Sequence, residues 1–417
     1  MRVLMLAQFY PPTMGGEERH VRNLAAALAA RGHDVAVATL WHHGLAEFEQ
    51  DGLVRVYRMR GTVQRADWLF SESGRRHAPP FPDPELVLAL RRIVAEERPQ
   101  IVHAHNWLVH SFLPLAAWSG AKLVLTLHDY SLVCVQKRLM YRDQTLCSGP
   151  QLTKCLKCAV SHYGLGKGLS TLAGNWSMSL LERQAVAMFL PVSGAVATQT
   201  RLAHHKVPFD IIPNFVPDDL GMQPAVIDEY VAQLPSEPYI LMVGDLSHDK
   251  GIGVLLQAYQ RLHSAPPLVL IGRRNEDTPT SLPANTTILE QWPHAAVMAA
   301  WQRCIVAVVP SVCPDACPTV VMEAMTMSRA VIGSAIGGVP DLVIDGETGL
   351  LVPPEDVQAL TAALHQLLTD SELRDRMGQA GRSRVKQYYA SAVVPRIERV
   401  YQHVLYGPQC ASAAARL

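Results

Sequence analysis

Ile305-Val-Ala-Val-Val-Pro-Ser-Val-Cys-Pro-Asp-Ala-Cys-Pro-Thr-Val-Val-Met-Glu-Ala-Met325 holds, in order, an apolar strand, a loop and the opening turns of a helix. The apolar run Ile305–Val309 carries no polar alternation, as expected of a strand buried on both faces. Pro318 is placed to open the helix, and Glu323 lies about one and a half turns into it. Asp315 stands eight residues earlier, in the loop. One acid is therefore on the loop and one on the helix, with free backbone amides between them. That order suits a ligand with hydroxyls at both ends and a charged phosphate in the middle. The plain alternative is the ordinary acidic bias at a helix start.

The same strand–loop–helix grammar runs outward in both directions. Tyr239-Ile-Leu-Met-Val-Gly244 reads as a strand, with a helix expected over Gly251 to His263. Strands follow at Leu268–Ile271 and Ala330–Ser334, and a helix carries Val357, Leu360, Leu364 and Leu367 at helical spacing. Toward the N-terminus, Val3–Ala7 reads as a strand, followed by a turn-rich loop and a helix from about Glu17, with Val21, Leu24, Ala25 and Leu28 on its apolar stripe. Strands at Asp34–Leu40, Ile101–Ala104 and Leu123–Leu127 and a helix over Glu85–Glu97 complete a first cycle. Buried runs alternating with amphipathic helices imply parallel sheets covered on both faces. The expected fold is α/β, two doubly wound Rossmann-like domains facing each other across a cleft. The expected boundaries are 1–207, with 389–417 crossing back onto that domain, and 208–388. Ligands of such sheets bind at the carboxyl ends of the strands.

The 417 residues are 49% apolar and 18% charged, enough to build large cores and too apolar for a disordered chain. Lys plus Arg and Asp plus Glu balance at 37 each, which argues against a nucleic-acid partner. No apolar run approaches the roughly 18 residues of a membrane span. Met1–Ala7 is too short for a signal peptide. The expected setting is cytosolic, with peripheral membrane association left open.

Gly15-Gly16 precedes the first helix, where two glycines permit close backbone approach to an anion or form a plain turn. Val243-Gly-Asp-Leu-Ser-His-Asp-Lys-Gly251 repeats that plan and adds Lys250. Taken with His103-Ala-His-Asn106, His128-Asp-Tyr130, Ile212-Pro-Asn214, Gly337-Gly-Val-Pro-Asp341 and Asp345-Gly-Glu-Thr-Gly-Leu350, the ordered set resembles the retaining glycosyltransferases of family 4, of GT-B fold. The resemblance covers nearly the whole chain. It implies transfer of a hexose-type sugar from a nucleotide-diphosphate donor to an acceptor hydroxyl on a polysaccharide, a lipid-linked intermediate or a natural product, with no metal needed for catalysis.

The resemblance also implies roles. Asp315 contacts sugar hydroxyls and Glu323 the ribose. The amides of Thr319 and Val320, following Pro318, meet the diphosphate together with Lys250 and Gly15-Gly16. His128 stands beside the reacting carbon and the acceptor. Two positions depart from the family pattern: Asp315 replaces the usual Glu, and Asp245 the usual Arg. Arg273 or Arg274, after the strand Leu268–Ile271, is expected to supply the missing cation. Two other readings stand beside this one: a catalytically silent sugar-nucleotide-binding protein, and a sugar-nucleotide epimerase of the same fold.

Two further groups of residues invite a metal reading. His103 and His105 share a face of one strand end, where packing and cleft lining are the better account. Cys134, Cys147, Cys155 and Cys158 fall within 25 residues and end in a CxxC, the ligand number of a structural zinc site. Free thiols, a redox pair and an iron–sulfur ligand set remain alternatives. Cys304, Cys313, Cys317 and Cys410 are scattered.

Overall fold

The computed structural model describes residues 1–12, 15–65, 76–222 and 228–407; Thr13 and Met14, which precede Gly15-Gly16 in the sequence, and Cys410 lie outside them. The chain divides into two compact units, Met1–Pro213 with Val393–Leu417, and Asn214–Ala392. Among the described residues no helix is long and apolar enough to cross a membrane.

The first unit is built on seven strands: β1 (Arg2–Leu6), β2 (Asp34–Leu40), β3 (Phe48–Asp51), β4 (Val54–Met59), β5 (Ile101–Ala104), β6 (Lys122–Leu127) and β9 (Met188–Pro191). A separate two-stranded hairpin is formed by β7 (Met140–Tyr141) and β8 (Thr145–Leu146). The order across the large sheet is β3-β4-β2-β1-β5-β6-β9, parallel except for the edge pair β3–β4. Val3, Leu4, Met5 and Leu6 of β1 are all buried, because helices cover both faces of a parallel sheet. Met5 pairs with Val37 of β2 on one side and with His103 of β5 on the other. The chain reverses its direction of growth between β1 and β5, and a doubly wound sheet opens its ligand crevice at that point.

The second unit repeats the plan with β10 (Ile240–Val243), β11 (Leu268–Ile271), β12 (Thr286–Leu289), β13 (Val306–Val309), β14 (Ala330–Ser334) and β15 (Gly349–Val352), in the parallel order β12-β11-β10-β13-β14-β15. Its core packs Ile240, Met242, Leu268, Val306 and Ile332 of the sheet against Leu255 and Leu364 of the covering helices. The switch point lies between β10 and β13, so the loops after these two strands share one crevice mouth. The chain enters and leaves this unit side by side. Val216 N–H donates to Tyr388 O (3.0 Å), and Ala390 N–H donates to Val216 O (3.0 Å).

Several elements differ from the sequence reading. The helix expected over Gly251–His263 spans Ile252–Gln260, since Gly251 is left-handed (φ 78°) and stands outside it as the N-cap. One more helix, Ser371–Val385, stands between the one at Val357–Thr369 and the closing helix Ala390–Tyr406. The segment around the four cysteines contains two helices, Leu152–Tyr163 and Leu165–Ala185.

Candidate functional site

Two tight turns set the geometry after β10 and β13. A Cβ on Gly251 would stand 1.8 Å from the Pro310 carbonyl oxygen, so only glycine fits at this left-handed position. The contact draws the β10 loop onto the end of β13 and brings Lys250 to Asp315, whose Oδ2 accepts a hydrogen bond from the Lys250 Nζ. Burial works against the lysine charge, but Asp315 and Cys313 outweigh it and hold the ammonium well above its usual range. The loop is held from below by Asp249, whose carbonyl accepts from Val312 N–H (2.9 Å) and Cys313 N–H (3.1 Å). From the other side comes the Gly337-Gly338 turn. Gly338 N–H donates to Asp315 O (2.7 Å), and a Cβ on Gly337 (φ 61°) would stand 2.2 Å from that oxygen.

Pro318 is the N-cap of the helix Thr319–Thr326, with Thr319 and Val320 half-buried as its first two residues. Their amides have no partner within the helix and face the anion-favouring end of its dipole. Glu323 is 2% exposed. Its carboxylate accepts from His294 Nε2–H (3.0 Å) and from the indole N–H of Trp301 (3.3 Å), so its orientation is fixed from two sides. Asp245 pairs with Arg273 (3.5 Å), both about half exposed, whereas Arg274 pairs with Glu290 (3.2 Å).

In the first unit, Gly15 is the extended N-cap of the helix Gly16–Ala30, and open space surrounds a Cβ built on Gly16. His20 lies on the buried stripe of this helix, four residues before Leu24. Beside it are the imidazoles from the ends of β5 and β6. His105 Nδ1 and His128 Nε2 are 3.0 Å apart, and the His20 ring meets that of His128 edge-on at 4.9 Å. His103 sits behind, with Tyr401 O–H on Nδ1 (2.6 Å) and Thr126 Oγ1 on Nε2 (2.7 Å). A neutral ring satisfies both contacts, accepting at one nitrogen and donating from the other. Burial, then the neighbouring imidazoles, depresses His20 and His105 far below the usual histidine range and His103 to about 3.

His20, His103 and His105 therefore remain uncharged at neutral pH. Ring nitrogens of His20, His105 and His128 lie within 4.8 Å of one another, a spacing that could hold a metal ion. The 3.0 Å contact between His105 and His128 is already accounted for by one shared proton. His103 is committed to Thr126 and Tyr401, so it backs the cluster by packing.

Glu17, at the start of the same helix, accepts a hydrogen bond from the Asn106 side-chain amide. Burial, then Glu18 and Asp129, pushes its carboxyl up to about 8 from an ordinary 4.5. An acid with a raised folded-state pKa binds more protons folded than unfolded between those values. Its share of stability is therefore present at low pH and declines as pH rises toward about 8. Between roughly pH 5 and 8 the Tm of Glu17→Gln should fall less than that of the parent. Parallel pH profiles of Tm would refute the assignment.

The sequence reading did not single out Glu17, His20, His294, Trp301 or Tyr401. His20 carried a signal, as the i−4 extension of the Leu24–Leu28 stripe. His294 and Trp301 carried none, because a neighbouring helix brings them to Glu323.

Residues 14–220 match the family model described as Glycosyltransferase Family 4, and residues 227–384 the model described as Glycosyl transferases group 1. The chain is 26% identical over 412 residues to a glycogen synthase of Mycobacterium tuberculosis, covering 92% of this chain and 90% of that protein. It is also 26% identical over 423 residues to a phosphatidyl-myo-inositol mannosyltransferase of the same organism, covering 97% of each. Among solved structures, sucrose-phosphate synthase from Thermosynechococcus elongatus matches with a TM-score of 0.74 at 21% identity, over 97% of this chain and 99% of that one. Anabaena HepE in complex with UDP and glucose matches at 0.68 and 16%, over 96% and 99%.

Proposed function

The chain belongs to the family 4 glycosyltransferases of GT-B fold, and from that premise we propose that it moves a hexose-type sugar from a nucleoside-diphosphate donor to an acceptor hydroxyl, with retention at the anomeric carbon and without a catalytic metal. The observation that carries this reading is the pairing of Lys250 with Asp315 at the mouth of the Thr319–Thr326 helix, with Glu323 held rigidly behind it. Glu323 takes the ribose, and Asp315 the sugar hydroxyls. The Thr319 and Val320 amides and Lys250 take the diphosphate. Arg273 is the better supplementary cation, because its partner Asp245 lies on the adjacent loop, whereas Glu290 draws Arg274 toward the end of β12. The crystallised complexes of HepE with UDP and glucose and of starch synthase IV with ADP support the nucleotide class and leave the base open.

As the glycosidic bond to the diphosphate breaks, negative charge gathers on the leaving oxygen. Donors already aimed at that position lower the barrier without reorganising. Lys250 and the helix amides supply this stabilisation, which is why the diphosphate needs no bound ion. The departing phosphate oxygen takes the acceptor proton on the face it leaves, so the configuration is retained. To His128, which contacts His105 (3.0 Å), we assign the hydrogen bond to the sugar beside the reacting carbon, as the resemblance implies. Cytoplasmic placement fits a nucleotide-sugar donor, and the acceptor classes stay those the resemblance implies.

Nucleoside-diphosphate hexoses, screened with and without chelator, test this reading. One donor should raise Tm through mass action. It should also be turned over, with the α-anomer formed first from an α-linked donor and with full rate in chelator. Stabilisation without diphosphate release would mark a silent binder. No stabilisation by any nucleotide sugar would remove the reading altogether.

A further inference from the structure

The segment between β6 and β9 poses a problem of stability. Lys137, Leu139, Arg142 and Asp143 all hold left-handed backbone (φ 67°, 52°, 53° and 59°) within seven residues. Non-glycine residues persist there only where their surroundings over-determine them. The local apolar core consists of three buried residues, Val135, Ala159 and Leu172, with Cys155, Tyr163 and Trp176 partly buried against it. That is a small core to hold four such residues.

All four clustered cysteines line one cavity here, with a volume of about 20 Å³. Cys134 follows the Tyr130 turn, and Cys147 follows β8 directly, its N–H donating to Leu139 O (2.8 Å). Cys155 and Cys158 occupy the first and second turns of the Leu152–Tyr163 helix. Backbone N–H groups already point at the sulfurs: Gln151 at Cys155 (3.3 Å), Arg142 at Cys158 (3.4 Å), and Leu139 and Gln136 at Cys134. Such bonds stabilise thiolates around a metal and orient them.

We propose that Cys134, Cys147, Cys155 and Cys158 form a closed structural zinc site that fixes the loop leaving His128. Four thiolates are a complete tetrahedral zinc shell, and all four cysteines line this one cavity. The three ligand atoms found within 4.8 Å of one another among the described residues belong to His20, His105 and His128. The sulfurs therefore stand more openly than in a loaded shell, and metal binding draws the hairpin and the helix start together. Four thiols lose their protons to solvent and no electron moves.

The clasp closes directly on the acceptor-side loop. Cys134 N–H donates to Tyr130 O (2.9 Å), Tyr130 N–H to Lys137 O (3.1 Å), and the Lys137 ammonium lies 4.1 Å from the Trp107 ring centre. This positioning role rests on the assignment of His128 to the acceptor; the metal content does not.

Elemental analysis of the purified full chain should find about one zinc per molecule, falling below about a fifth in Cys155→Ser or Cys158→Ser and unchanged in Cys304→Ala. A mercurial titrant should release that zinc with four thiols. If the serine variants fail to fold, the parent protein still decides: cobalt loading should give the absorption of tetrahedral thiolate cobalt. Iron with acid-labile sulfide, a Cys155–Cys158 disulfide, or four thiols freely titratable in the native chain would each overturn the site. In loaded protein, zinc removal should raise KM for the acceptor more than for the donor. Equal effects would remove the positioning role and leave the zinc.

Discussion

Lys250→Ala is expected to lower kcat/KM roughly 100- to 1,000-fold, the loss that follows when one preorganised donor is removed from developing charge. The expectation rests on how the side chain is held. Gly251 admits no Cβ against the Pro310 carbonyl, and that contact delivers Lys250 to the crevice mouth beside Asp315. Lys250→Arg should not restore the rate, because a planar guanidinium cannot replace a point charge in so confined a place. Arg273→Ala should follow with a loss of roughly tenfold, comparable to one charged hydrogen bond, and Arg274→Ala should stay near the parent. Asp245→Ala should be milder than either Lys250 variant, since the carboxylate answers Arg273 and not the donor. Steady-state kinetics on variants with parent-like Tm decide the matter. A Lys250→Ala enzyme within threefold of the parent would end the assignment. Active arginine variants beside a dead Asp245→Ala would move Asp245 into the site.

The paired acids should separate by ligand. Glu323→Ala should weaken a free nucleoside diphosphate by more than roughly tenfold, since hydrogen bonds to charged groups contribute about 1.5–3 kcal/mol. It should also lower stability, because Trp301 and His294 would lose the buried acceptor that satisfies them. Asp315→Ala should behave differently. It loses the sugar-dependent part of affinity but releases Lys250 from its ion pair, so the bare nucleoside diphosphate should bind as well as before or better. Calorimetry with both ligands on both variants gives four affinities. If all four match the parent, the acids are not donor ligands.

How much of this was legible beforehand depended on distance along the chain. The strands at 268–271 and 330–334 announced themselves as short apolar runs, and the parallel sheets followed from their alternation with helices. The Asp315-to-Glu323 element was visible because its whole logic lies within one loop and one helix. The pairing of Lys250 with Asp315 was not visible: the two are 65 residues apart, and only the Gly251 turn joins them. The helix Leu165–Ala185 escaped because its leucines do not form one stripe; Leu165, Leu169, Leu180 and Leu181 are exposed. The β3–β4 edge hairpin escaped because β3 has no buried residue and β4 interleaves Arg55, Tyr57 and Arg58 with its apolar side chains. The histidine cluster was half legible, since strand periodicity found His103 and His105 but nothing local pointed to Tyr401.

The chain crosses between its units twice, and the second crossing falls inside the helix Ala390–Tyr406. The second unit is one continuous stretch, whereas the first needs both ends of the sequence. On the ribosome, then, the part begun first is finished last. His103 must wait for Tyr401, 298 residues downstream. At ordinary elongation rates that is on the order of 15 to 60 s, during which the nascent chain holds an imidazole with no tyrosine beneath it. The second unit, being continuous, has emerged in full before the last residues of the first unit are made.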